Sequence, residues 1–156
     1  MGSRSDWGAV EHCVATLEQL GIDHDVRILS AHRTPEALSE YVRESEARGA
    51  QVFIAAAGGA AHLAGAVAAQ TARPVLAVPM ESKLDGLDSL LSMVQMPAGI
   101  PVGTFAIGKP GAVNAALFAA AILGLADDLV RGTVDAYREE RARQILADPD
   151  PRQAPQ

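Results

Sequence analysis

A single cysteine, Cys13, excludes an intrachain disulfide and leaves no thiol cluster for zinc, so a reducing compartment is the simple expectation. Aromatic residues make up only 4% of the chain and the formal net charge is -6. That combination excludes a nucleic-acid surface built from basic patches and stacking platforms. No apolar stretch reaches membrane-spanning length, because Gly, Pro, His, Gln or charge interrupts the alanine-rich runs. The first residues, with Arg4 and Asp6, lack the apolar core of a signal peptide, and a cytoplasmic protein without membrane contact is expected. Neither a Gly-x-x-x-x-Gly-Lys phosphate loop nor a Gly-x-Ser-x-Gly elbow occurs, which removes support for triphosphate-cleaving and serine-hydrolase chemistry. His12, His24, His32 and His62 have no acidic or thiol partners at ligand spacing, so no metal site is expected.

What remains is globular. At 156 residues, 49% of them hydrophobic and 21% charged, the chain fits one domain that buries a core without disulfides or metal. Trp7, Val10, Val14, Leu17 and Leu20 recur at helical spacing until Gly21. Val26 and Ile28 alternate with Asp25 and Arg27, the pattern of a half-buried strand ending at Ser30. A helix begins at Pro35 with Leu38, Tyr41 and Val42 inward and stops at Gly49. The apolar runs 52–57, 74–79 and 102–107 predict three more strands. Between and after them come helices carrying Leu63 and Val67, then Leu87, Leu90, Leu91 and Val94, then the alanine-rich stretch 112–125. A last helix spans about Asp127 to Ala147, remote from the turns and suited to an oligomer contact, and 148–156 is expected to be a disordered tail. Strand and helix alternate with no hairpin signal. The expected fold is therefore α/β, a single flavodoxin-like three-layer domain over 1–147 with a parallel sheet and a long C-terminal helix.

In such a sheet ligands bind at the carboxyl ends of the strands, where helix amides favour anions. Ser30-Ala31-His32-Arg33-Thr34-Pro35 lies on such a turn: Ser30 and Arg33 suit a phosphate, His32 suits proton transfer, and Thr34 and Pro35 suit a helix start. The same residues also fit a capped turn whose histidine bonds only to backbone. Met1 to Asp6 is a Gly/Ser-rich turn feeding a helix. Ser3 and Ser5 can donate hydroxyl bonds there, while Asp6 either accepts from a sugar hydroxyl or caps the helix. A cradle of this kind ordinarily follows a strand, yet only Met1 precedes Gly2. Gly58, Gly59, Ala60 and Ala61 permit close approach of a planar ligand, and His62 beside them is either a structural hydrogen-bond partner or a second acid–base group. These residues give no substrate.

Four separated motifs carry a resemblance. Met1-Gly2-Ser3-Arg4-Ser5-Asp6-Trp7, Ser30 to Pro35, Gly58-Gly59-Ala60-Ala61-His62-Leu63, and the run from Leu87 to Pro97 closely resemble the bacterial N5-carboxyaminoimidazole ribonucleotide mutases of purine biosynthesis, over residues 1 to about 140. The resemblance implies a cofactor-independent isomerase, an octamer with sites at subunit interfaces, and a ribonucleotide substrate. Carried over by motif, His32 is the catalytic acid and base; Ser3, Asp6 and Arg33 bind the ribonucleotide; Ser5 and Ser30 assist at phosphate; Gly58, Gly59, Ala60, His62 and Leu63 wall the pocket. A sister class uses aminoimidazole ribonucleotide and free carbon dioxide, with Lys after the catalytic His and Gly-Arg-Ser-Asn where this chain has Gly59-Ala60-Ala61-His62. Arg33 and His62 favour the mutase; a non-catalytic nucleotide-monophosphate-binding module is the other competing reading. The resemblance also implies a strand of about seven residues upstream of the Gly-Ser loop. Two further departures are Ala64 where the family commonly has Pro, and a loop 82–86 one residue short.

Overall fold

The computed structural model describes residues 1–148 together with Asp150 and Arg152. The tail expected over 148–156 therefore lies largely outside the described residues. Three parallel strands, β1 (Phe53–Ala57), β2 (Val75–Pro79) and β3 (Gly103–Thr104), form one sheet in the order β1-β2-β3. Phe53 pairs with Val75 and Ala57 with Pro79, and Leu76 pairs with Gly103. β2 is buried along its whole length, which is why its sequence is continuously apolar rather than alternating.

Helices cover both faces. On one side α2 (Pro35–Ala47), α3 (Leu63–Ala68) and α4 (Leu87–Val94) contribute Leu38, Val42, Val67 and Met93 to a core with Phe53, Ala55 and Val75. On the other, α1 (Trp7–Gln19) and α5 (Lys109–Leu123) pack Cys13, Leu17, Ala112 and Ala116 against Leu76 and Val78. Alanines allow α5 to sit tightly on the sheet, and a Cβ at Gly111 would fall 1.7 Å from the Ala106 carbonyl oxygen. The C-terminal helix α6 (Asp128–Ala147) starts where the Asp127 carboxylate accepts the Leu129 and Val130 N–H groups. It has no buried residue. The α/β layered architecture expected from the sequence is thus observed. No helix among the described residues is long and apolar enough to cross a membrane.

Several elements differ from expectation. The strand 102–107 shrinks to β3, although the Phe105 N–H still donates to the Ala77 carbonyl. Trp7, expected inside, is 40% exposed. The strand predicted at 25–30 is not formed: residues 22–30 run without a ladder, and Ile28 is 46% exposed. A strand exists only by its partners, and among the described residues none of the three strands pairs with 25–30. Met1 alone stands alongside, its ammonium donating to the Arg27 carbonyl and its carbonyl accepting the Leu29 N–H, while the Gly2 N–H donates to Ala56 O on β1. Met1 and Gly2 thus occupy the seam between residues 25–29 and β1. Behind Met1 the seam opens into a cavity of about 880 Å³ lined from both cores by Cys13, Leu17, Val26, Val42, Phe53 and Ala55. Burial lowers the Met1 amine below its usual value of 8.0.

Candidate active site

Three loops meet at the carboxyl end of β1. The first is the 3-10 turn Arg4–Asp6, closed by a capping box in which the Ser3 hydroxyl accepts the Ser5 N–H at 3.3 Å and the Asp6 carboxylate accepts the Ser3 N–H at 3.0 Å. The Ser5 hydroxyl donates to Ser3 Oγ at 2.9 Å. Asp6 is only 9% exposed, and burial raises its carboxyl above 3.8 against the opposing hydrogen bonds from Ser3 and Ser5. Its two carboxylate oxygens accept from the Ser3 N–H and, at 3.4 Å, from the Ser5 hydroxyl.

The second loop, Ser30 to Thr34, turns on its own hydroxyls. Thr34 does not cap α2 with its side chain; its Oγ1 instead accepts the Ser30 N–H at 2.9 Å and donates to the Ser30 carbonyl at 3.1 Å. Pro35 takes the first helical position as expected. The Ser30 hydroxyl accepts from the Arg33 backbone N–H at 3.2 Å and from Arg33 Nε at 3.4 Å. Arg33 Nη2 reaches the Gly2 carbonyl at 3.4 Å, which draws this loop onto the first. Among the described residues the contacts of Arg33 are to hydroxyl and carbonyl oxygens, so its charge remains available to an anion.

The third loop is Gly58 to His62. Gly58 is packed closely, since a Cβ there would lie 3.3 Å from Met80 Cβ, and Gly59 turns at φ +68. His62 precedes α3, and its Nδ1 lies 2.9 Å from His32 Nε2 with the two rings edge to face at 82°. One nitrogen of this contact donates and the other accepts, so the pair shares one proton between two exposed rings. Ala60 is exposed at the loop crest, whereas Leu63 is 4% exposed and belongs to the core. Ser3, Ser5, Asp6, Ser30 and Arg33 are therefore brought together on one side, and His32 and His62 on the adjoining side. Among the described residues no group of three or more His, Cys, Asp or Glu is placed to hold a metal ion.

The family model described as AIR carboxylase matches residues 1–144. The chain belongs to the AIR carboxylase family. Curated relatives named N5-carboxyaminoimidazole ribonucleotide mutase include one from Pseudomonas aeruginosa, 53% identical over 99% of this chain and 95% of its own length. Another, from Brucella melitensis, is 55% identical over 96% of this chain and 93% of its own. Among solved structures, Treponema denticola PurE superposes with a TM-score of 0.87 at 34% identity, covering 95% of this chain and 92% of that one. Within this family frame, the sequence reading had placed the three loops but not two hydroxyls on α4. Ser89 and Ser92 hold Gly59 from below. Their signal was present in the sequence only as serines within a mostly apolar helix that also carries Asp88.

Proposed function

We propose that this member of the AIR carboxylase family converts N5-carboxyaminoimidazole ribonucleotide to 4-carboxy-5-aminoimidazole ribonucleotide in purine biosynthesis. The observation that carries the reading is the His32–His62 pair, 2.9 Å apart, beside a cluster of hydroxyls and an arginine without a carboxylate partner among the described residues. The relatives' names supply the substrate class, and the geometry supports a role for each loop. Ser3, Ser5, Ser30 and Arg33 take the phosphate, and Asp6 accepts from a ribose hydroxyl. His32 protonates the exocyclic nitrogen as its carboxylate leaves as carbon dioxide. Ring carbon C4 then attacks the retained carbon dioxide, and His32 removes the C4 proton, so one proton is given and one recovered. His62 sets which His32 nitrogen carries that proton. Gly58, Gly59 and Ala60 form a small wall against escape of the gas, while the Leu63 side chain supports that wall from the core. No cofactor is required by these steps. Assembly as a cytoplasmic homo-octamer is part of the proposal: Phe118, Leu125, Leu129 and Ile145 are 52–86% exposed, and exposed apolar side chains of this size are suited to burial between copies. Light scattering on a sizing column tests it.

The activity test is rapid-mix turnover of N5-carboxyaminoimidazole ribonucleotide without ATP, in the presence of labelled bicarbonate. Product carrying mostly unlabelled carboxylate supports the mutase. Turnover only from aminoimidazole ribonucleotide with label incorporated identifies the carbon-dioxide-using carboxylase, and ligand binding without turnover identifies a binding module. His32→Asn is expected to abolish turnover, by more than about 100-fold, while sparing ligand affinity. A variant that keeps most of the activity removes His32 from the mechanism.

A further inference from the structure

α4 buries an unusual side. Leu87, Leu91 and Val94 are 51%, 51% and 52% exposed, whereas Ser89 is 0% and Met93 1% exposed. A buried hydroxyl is costly unless hydrogen-bonded, so what Ser89 contacts decides why it is there. Its Oγ accepts the Gly59 N–H at 2.9 Å. One turn on, the Ser92 hydroxyl faces the Gly59 carbonyl at 3.3 Å while donating to the Asp88 carbonyl at 2.8 Å. Both backbone polar groups of Gly59 are thus held by one helix.

Gly58-Gly59 is the most permissive backbone pair in the loop, and it lies just before His62. From Gly59 onward the segment is compact. Ala61 is 1% exposed in the core and the His62 N–H donates to the Ala60 carbonyl at 2.8 Å, so a shift at Gly59 is passed to His62. The His32–His62 contact of 2.9 Å ceases to be a hydrogen bond after about 0.6 Å of separation.

We propose that Ser89 is a positioning residue for the reaction: its buried hydroxyl fixes Gly59 and thereby sets His62 against His32. Ser92 is its weaker companion. The role in turnover rests on the mutase reading above, whereas the effect on the histidine pair does not.

The test compares Ser89→Ala and Ser92→Ala with a control, Ser39→Ala, whose hydroxyl donates to the Pro35 carbonyl on the exposed side of α2. The readouts are imidazole nitrogen NMR of His32 and His62, the pH profile of kcat, and the split between kcat and KM. In Ser89→Ala the His32 and His62 resonances should move, kcat should fall about 10-fold and KM should stay within about twofold, because positioning rather than binding is lost. Ser92→Ala should move the same signals less, and the control should move none. A folded Ser89→Ala with unmoved imidazole signals and unchanged kcat overturns the proposal. Should Ser89→Ala not fold, unmoved signals in Ser92→Ala overturn it equally. If the wild-type chain fails to turn over the substrate, the mutase reading falls, while the imidazole spectra still decide whether Ser89 places the pair.

Discussion

Joining a strand to the Met1 nitrogen is the sharpest test of the architecture. The seam between residues 25–29 and β1 already holds Met1 and Gly2 in ladder-like hydrogen bonds, and the cavity of about 880 Å³ continues from it between both cores. A strand matching the five residues of β1 spans about 17 Å at about 3.4 Å per residue, so five added residues rich in Val and Ile reach its length. Each such side chain contributes about 1.5–3 kcal/mol on burial, and each ladder hydrogen bond about 1 kcal/mol net. Ordering costs about 1–2 kcal/mol per residue for the backbone and about 0.5–1 kcal/mol more for each branched side chain that is buried. The balance for five residues is a stabilisation of about 5 kcal/mol, which in a domain of this size raises Tm by about 10–20 °C.

Thermal unfolding followed by circular dichroism measures that shift, with a Gly/Ser extension of equal length as control. The control matters because any extension replaces the buried amine of Met1, whose pKa burial already lowers, and only the apolar one fills the cavity. Cys13 gives an independent probe: it lines the cavity, it is 5% exposed, and burial pushes its thiol up to about 11. Its labelling by a disulfide reagent should slow further in the apolar extension, and hydrogen exchange over residues 22–30 should slow with it. Equal Tm values for the apolar and Gly/Ser chains, with unchanged Cys13 labelling, would refute the strand-accepting reading of this cavity.

Arg33→Ala removes the charged partner expected at phosphate and should weaken ribonucleotide affinity about 10–100-fold by calorimetry, with little change in Tm; unchanged affinity would place the phosphate elsewhere. Asp6, raised above 3.8 by burial, binds its proton more tightly folded than unfolded. Its contribution to stability is therefore fully present below pH 3.8 and lost as pH rises through the folded value, so urea denaturation of Asp6→Asn should gain on the wild type over that window. An Asp6→Asn curve parallel to the wild type at every pH would contradict this. Gly111→Ala drives a Cβ to 1.7 Å from a backbone oxygen that has no room to yield, and should cost about 3–5 kcal/mol or prevent folding, whereas Gly132→Ala, with nothing within 4 Å, should be neutral or stabilising in the same denaturation assay.

Elements whose evidence is local were legible in the sequence. The apolar runs of β1 and β2 name themselves because a strand covered on both faces has no polar side, and α1 and α2 end where Gly21 and Gly49 adopt φ +68 and +97. What was not legible depends on partners distant in sequence. Val26 and Ile28 carry the alternation of a strand, but alternation describes a face and says nothing about whether an edge is available to pair with it. The helix α4 misled in the opposite sense. Leu87 and Leu91 have helical spacing, yet they face outward, while the side turned inward carries Met93 in the core and Ser89, whose hydroxyl accepts the Gly59 N–H.

Those two failures converge on the same loops. Ser3 and Asp6 hang from Met1 and Gly2, which are held through Arg27, Leu29, Ala56 and Arg33, while His62 hangs from Gly59 through Ser89. The candidate residues could be named from the sequence because His32 and His62, two of only four histidines, stand beside hydroxyls and an arginine at turn signals. Their placement could not, because it is delegated to backbone groups and small side chains whose identity signals nothing until the fold brings them together. A change at the seam behind Met1 should therefore be felt first in ligand affinity, through Ser3 and Asp6, and a change at Ser89 first in kcat, through His62. Finding both variants altered in the same parameter would mean that the loops move as one body and that this division of labour is wrong.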